Sequence, residues 1–96
     1  MTKVSLRLFV SGSTGASQRA VENLARLCET ELQGRYEVEV IDVLEQPQAA
    51  ESAKILATPT LIRQLPEPVC QIIGDLSDRV KVLIGLEVEG LHRIAQ

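Results

Sequence analysis

Ninety-six residues, 45% hydrophobic and 24% charged, are enough for one domain and argue against disorder, whereas two domains would each be too small for a reliably stable unstapled core. Ten Lys and Arg against thirteen Asp and Glu leave a net charge of −3, the wrong sign for a binder of phosphate backbones. Phe9 and Tyr36 are the only aromatic residues, so the core must be aliphatic and there is almost no surface on which bases could stack.

Leu6, Leu8 and Val10 alternate with Arg7 and Phe9, which predicts a strand ending at the turn-prone Gly12-Ser13-Thr14-Gly15. Ser17 suits the N-cap of the helix that follows. Ala20, Val21, Leu24, Leu27, Cys28 and Leu32 form one apolar stripe on it, and Gly34 can stop it. From Tyr36 the period drops to two, with Val38 and Val40 on one face and Glu37 and Glu39 on the other. Ile41, Val43 and Leu44 then make the strand apolar on both faces, so it should become more buried along its length. Strand, helix, strand in this order is a βαβ unit with parallel strands. Pro47 opens a shorter helix reaching about Ile55, since its missing N–H would be unpaired in a first turn anyway.

Thr58-Pro59-Thr60 leads into Leu61 and Ile62, where a proline belongs at the first residue of a strand or at an edge. Pro66 and Pro68 interrupt the pattern, and Val69 to Ile73 read as a short strand closed by Gly74-Asp75. Beyond Ser77 two templates fit the same residues. Val80, Val82, Ile84, Leu86 and Val88 alternate as a strand does, while Val82, Leu83, Leu86 and Ile94 line a helical stripe for which Ser77 can serve as N-cap. Gly85 weakens the helix by about 1 kcal/mol relative to Ala, and the β-branched residues lean toward strand. A local conflict of this kind marks either a functional segment or an ambiguity inherent in short apolar runs.

No arrangement offers nucleophile, base and orienting group together, so catalysis is not expected. His92 follows Glu89 at three residues with no further ligand near in sequence, and reads as a solvated side chain rather than a metal site. Gly12 and Gly15 lack both the Gly-Lys-Ser/Thr of a P-loop and the three-glycine dinucleotide fingerprint, and read as a turn. Glu37 and Glu39 fit a charged edge that discourages strand pairing. Two cysteines are too few for a disulfide framework, and Cys28 and Cys70 both sit among apolar residues as structural, reduced thiols would. No cofactor is implied. The first seven residues lack the apolar region of a signal peptide and no apolar run reaches membrane-spanning length, so a cytoplasmic protein that avoids membranes is expected.

Ala57-Thr58-Pro59-Thr60-Leu61 after a βαβ unit resembles the proline entry of the thioredoxin-like fold, where that proline is typically cis. In the redox enzymes of that fold the first helix begins with Cys-x-x-Cys. The matching stretch here is Gly12-Ser13-Thr14-Gly15-Ala16-Ser17, with no thiolate to run exchange chemistry.

From about residue 6 to 88 the chain resembles the KaiB family of the bacterial circadian clock. The resemblance is carried by Leu6-Arg7-Leu8-Phe9-Val10-Ser11-Gly12, Val40-Ile41-Asp42-Val43-Leu44, Lys54-Ile55-Leu56-Ala57-Thr58-Pro59-Thr60-Leu61 and Ile72-Ile73-Gly74-Asp75-Leu76-Ser77-Asp78, leading to Val82-Leu83-Ile84-Gly85-Leu86. It implies a single α/β domain over residues 1–96 with a short tail from about 89. It also implies two folds: a ground state, βαββααβ, assembled as a dimer or tetramer, and a thioredoxin-like monomer, βαβαββα, that binds the N-terminal ATPase ring of KaiC and modulates its phosphorylation and ATPase state. Only the C-terminal half is remodelled in the family, and Pro59, Pro66, Pro68, Gly85 and Glu87 match positions in the switching region. Arg19, Lys54, Ala57, Thr58, Pro59 and Arg63 match positions in or near the surface expected to face KaiC, although exposed basic residues need no function. The edge strand carrying Glu37 and Glu39 matches the one that recruits a third protein, KaiA in cyanobacteria.

The departures from the family pattern bear on partner choice. Cys70-Gln71 replace a basic pair, Glu39 replaces a lysine, and the tail is Gly90-Leu91-His92-Arg93-Ile94-Ala95-Gln96 rather than acidic. A reversed charge at an edge changes which partner is electrostatically complementary, so a clock-like or stress-timing system without KaiA is the expectation, with a KaiA-like protein or a histidine kinase as candidate third partners. The alternatives are a KaiB-like sensor domain of a clock histidine kinase, permanently thioredoxin-like, and a thiol oxidoreductase using Cys28 or Cys70.

Overall fold

The computed structural model of the protein describes residues 4–32, 35–65, 69–78 and 81–82. Its elements are β1 (Val4–Val10), α1 (Gly15–Leu27) continued by a π-helical turn (Cys28–Leu32), β2 (Tyr36–Asp42), α2 (Pro47–Ser52), β3 (Thr60–Leu65) and β4 (Cys70–Ile73). One sheet has the order β2-β1-β3-β4, with β1 parallel to β2 and antiparallel to β3, and β3 antiparallel to β4.

Alternation along β1 builds two cores. Leu6, Leu8 and Val10 turn one way and, with Leu61, meet Ala20, Leu24, Leu27 and Cys28 of the α1 segment, closed at one side by Leu76 and Val82. Phe9 turns the other way into a smaller core with Ile41 and Ile62, against which Ala49, Ala50, Ala53 and Ile55 pack. The alanines let so short a helix approach the sheet closely. The end of α1 widens where the Thr30 hydroxyl donates to the carbonyls of Arg26 and Leu27, competing with the backbone ladder at those acceptors.

The βαβ unit, the helix opened by Pro47 and the strands on either side of residues 66–68 stand as the sequence predicts, and α2 ends at Ser52, three residues short of Ile55. Three local expectations are corrected. The N-cap of α1 is Thr14, whose hydroxyl accepts from the Ser17 N–H at 3.3 Å; Ser17 is buried inside the first turn and accepts from the Ser11 N–H at 3.0 Å. β2, an edge strand, does become more buried along its length, from exposed Val38 and Val40 to fully buried Ile41, but Leu44 just past its end is 72% exposed rather than covered. After β4 the cap is Asp78 rather than Ser77: its carboxylate accepts from the Lys81 N–H and its carbonyl from the Val82 N–H, both near 3 Å, and residues 81–82 are helical. Gly34, Pro66, Pro68, Gly85, Glu87, His92 and the tail from residue 89 lie outside the described residues.

Candidate partner-binding face

Three connections meet at one end of the sheet, where β1 finishes, β3 begins and β4 finishes. The first is the turn of residues 11–14. Gly12 sits at φ +55°, a left-handed conformation open to glycine, and donates its N–H to the Asp42 carboxylate at 3.1 Å. The same Asp42 oxygen accepts from the Leu44 N–H at 2.9 Å, so one carboxylate ties the ends of β1 and β2. This loop is the turn expected from the sequence.

The second connection runs from α2 to β3. The helix ends in a Schellman motif, with the Ile55 N–H donating to the Ala50 carbonyl at 2.9 Å and the Lys54 N–H to the Glu51 carbonyl at 3.1 Å. That motif requires a left-handed residue, usually glycine, and here it is Lys54 at φ +57°. Lys54 is exposed, and Leu56 is 95% exposed although Ile55 beside it packs into the smaller core. Ala57 is exposed, the Thr58–Pro59 peptide bond is cis, and the Thr60 hydroxyl donates to the Ala57 carbonyl at 2.6 Å. The third connection, residues 74–78, joins the second where the Gly74 N–H donates to the Pro59 carbonyl at 2.9 Å. It also joins α1, where Arg19 pairs with Asp75 at 3.0 Å.

Lys54, Ala57, Thr58, Pro59 and Arg19 therefore gather at this end of the molecule, with Lys54 and Ala57 exposed, Thr58 half-buried and Pro59 buried. Arg63 does not. It lies inside β3 between Leu6 and Cys70 and is 2% exposed. Leu56 is the residue missed from sequence, since a leucine within an Ile-Leu-Ala run gives no sign that it points outward.

Glu37 and Glu39 lie on the opposite edge of the sheet, exposed on β2, with Arg7 3.3 Å from the Glu39 carboxylate. Cys28 is fully buried and burial pushes its thiol up to about 11, while Cys70 is half-buried on β4; neither is in a disulfide. Among the described residues no group of three His, Cys, Asp or Glu could hold a metal ion, and no helix is long and apolar enough to cross a membrane.

Residues 7–88 match the KaiB domain family. The chain is similar to the circadian clock protein KaiB3 of Synechocystis sp., at 53% identity over 94 residues covering 96% of this chain and 92% of the relative. Among solved structures it is similar to the N-terminal domain of SasA from Synechococcus elongatus, with a TM-score of 0.70 and 28% identity over 88% of this chain and 81% of that one. Chloroplastic thioredoxin z superposes with a TM-score of 0.74 at 23% identity, covering 92% of this chain and 80% of that one, so the arrangement is thioredoxin-like.

Proposed function

The chain belongs to the KaiB family, and on that premise we propose that it is a non-catalytic timing regulator, acting in the cytoplasm, that docks on the KaiC ATPase ring in the thioredoxin-like arrangement and modulates KaiC phosphorylation and ATPase state. The observation that carries this reading is Lys54. A position whose backbone favours glycine instead holds a long cationic side chain on the surface, next to an exposed leucine. Strain retained at an exposed residue is a mark of use, and a cation beside an apolar side chain suits a protein surface better than a small substrate.

In this reading Lys54, Leu56, Ala57 and the half-buried Thr58 form the contact, the buried Pro59 lies beneath them, and Arg19 flanks it. Arg63 takes part only if a rearrangement uncovers it. The alternative ground-state assembly, a dimer or tetramer, withholds this face, and Pro59, Pro66, Pro68, Gly85 and Glu87 belong to the segment that changes. A partner moves such an equilibrium only by its difference in affinity for the two states. The β2 edge, with Glu37 and Glu39, is the site for a third protein that presents basic residues, a KaiA-like protein or a histidine kinase. The thiol-exchange reading is disfavoured by an α1 that begins without cysteine and by a Cys28 thiol held protonated.

The test is to mix the chain with KaiC and ATP and follow complex formation by fluorescence anisotropy and size exclusion. A complex that Lys54→Glu weakens and Glu22→Gln, at an exposed site on α1, leaves intact supports the proposal. Absence of a complex in every nucleotide state overturns it. A second reading is favoured by the thioredoxin-like arrangement itself, which a KaiB-like sensor domain would hold permanently; that reading requires a monomer at every concentration.

A further inference from the structure

The connection after β4 carries a feature that the docking face does not need. Gly74 is at φ +126° and Leu76, which is not a glycine, is at φ +64°. Left-handed backbone is unfavourable for a residue with a Cβ, and Leu76 lacks the short polar side chain that eases it for Asn or Asp. Leu76 is nevertheless buried, closing the α1-side core next to Val82. What holds it there is Asp75. Its carboxylate accepts from Arg19 Nε at 3.0 Å and from the Ser77 N–H at 3.1 Å, and its carbonyl accepts from Asn23 Nδ2 at 2.8 Å. Arg19 and Asn23 are four residues apart and so share one face of α1, presenting two donors to a single residue more than fifty positions away.

We propose that residues 74–78 are a strained latch: Asp75, gripped by Arg19 and Asn23, forces Leu76 into the core and thereby keeps Val82 packed beside it. Opening the grip lets Leu76 relax to negative φ and withdraws its side chain from the core, so the latch has two arrangements rather than a continuum. The contact spans the halves of the chain, since α1 precedes the region proposed to refold and Asp75 lies within it. Its regulatory meaning rests on that two-fold reading: the latch must open before the C-terminal half can rearrange. The latch itself needs only the contacts above.

Hydrogen exchange followed by mass spectrometry tests it on the full chain, with Arg19→Gln, Asp75→Asn and the double variant. The Arg19 side chain is 59% exposed, so its replacement opens no cavity in the core. The expected result is exchange at least about tenfold faster for amides of 76–82 in each single variant, a double variant no faster than the faster single one, and amides of β1 and α2 within about twofold of the parent. Uniform acceleration across the chain, additive effects, or no change at 76–82 would overturn the latch. Selective acceleration without a second conformer in NMR spectra upholds the latch and removes the two-fold reading from it.

Discussion

Lys54→Gly should strengthen the fold and weaken partner binding, two effects of opposite sign from one substitution. The parent residue is in the left-handed region at φ +57°, which costs a residue with a Cβ about 1–2 kcal/mol relative to glycine. Glycine returns part of that gain through its larger unfolded-state entropy, about 0.5–1 kcal/mol. The exposed side chain forfeits little packing, so the net stabilisation should be about 0.5–1 kcal/mol, or roughly 2–8 °C in Tm for a domain of this size. Lys54→Ala keeps the strain and removes the charge, so its stability should stay within about 0.5 kcal/mol of the parent. Both variants should lose KaiC affinity, about three- to tenfold if the ammonium meets a carboxylate at the interface rim. Urea titrations and anisotropy against labelled chain measure the two quantities separately. A glycine variant that is no more stable than the alanine variant would refute the backbone argument, and unchanged affinity in both would refute the docking role.

Leu56→Ala removes three carbon atoms worth about 0.8 kcal/mol each when covered, a ceiling of about 60-fold in KaiC affinity, while the urea midpoint stays put because Leu56 is 95% exposed. Phe9→Ala empties the smaller core and should cost about 3–5 kcal/mol, read as a lower urea midpoint at constant slope. Burial pushes the Cys28 thiol up to about 11, so near pH 8 roughly one molecule in a thousand carries the thiolate; alkylation of the native protein should reach Cys70 and spare Cys28. Ser77 and Arg19 hold the Asp75 carboxyl below its ordinary 3.8. A group with a depressed folded pKa contributes stability that is complete above about pH 5 and is lost as pH falls through the folded value. Asp75→Asn should therefore lose stability near pH 7 and fall less steeply than the parent on acidification, measured as urea midpoints along a pH series.

Where periodicity and burial coincide, the residues declared their places in advance. Leu6, Leu8 and Val10 on one side of β1 and Ala20, Leu24, Leu27 and Cys28 on α1 are buried as their spacing requires, because a parallel βαβ unit leaves few other ways to cover them. Val38 and Val40 show where the inference stops: alternation reports which residues share a face, not whether the strand sits at the centre or the edge of its sheet. The α1 cap illustrates a similar gap. Thr14 and Ser17 are both competent acceptors, and only the buried position of Ser17 beside Ser11 decides between them. Of the docking face, Lys54, Ala57, Thr58 and Pro59 came from family resemblance rather than pattern. The positive φ of Lys54 and Leu76, the exposure of Leu56 and the burial of Arg63 have no local signature, since each depends on how distant segments close over the sheet.

In the proposed function the C-terminal half has two arrangements, of which KaiC selects the thioredoxin-like one. Amide NMR of the uniformly labelled chain across a dilution series, alone and with the KaiC N-terminal ring loaded with nucleotide, addresses it most directly. One set of resonances is expected for β1 and α1, two concentration-dependent sets for residues beyond α2, and collapse of the two into the thioredoxin-like set when the ring is added. One set throughout, indifferent to both dilution and KaiC, would contradict it.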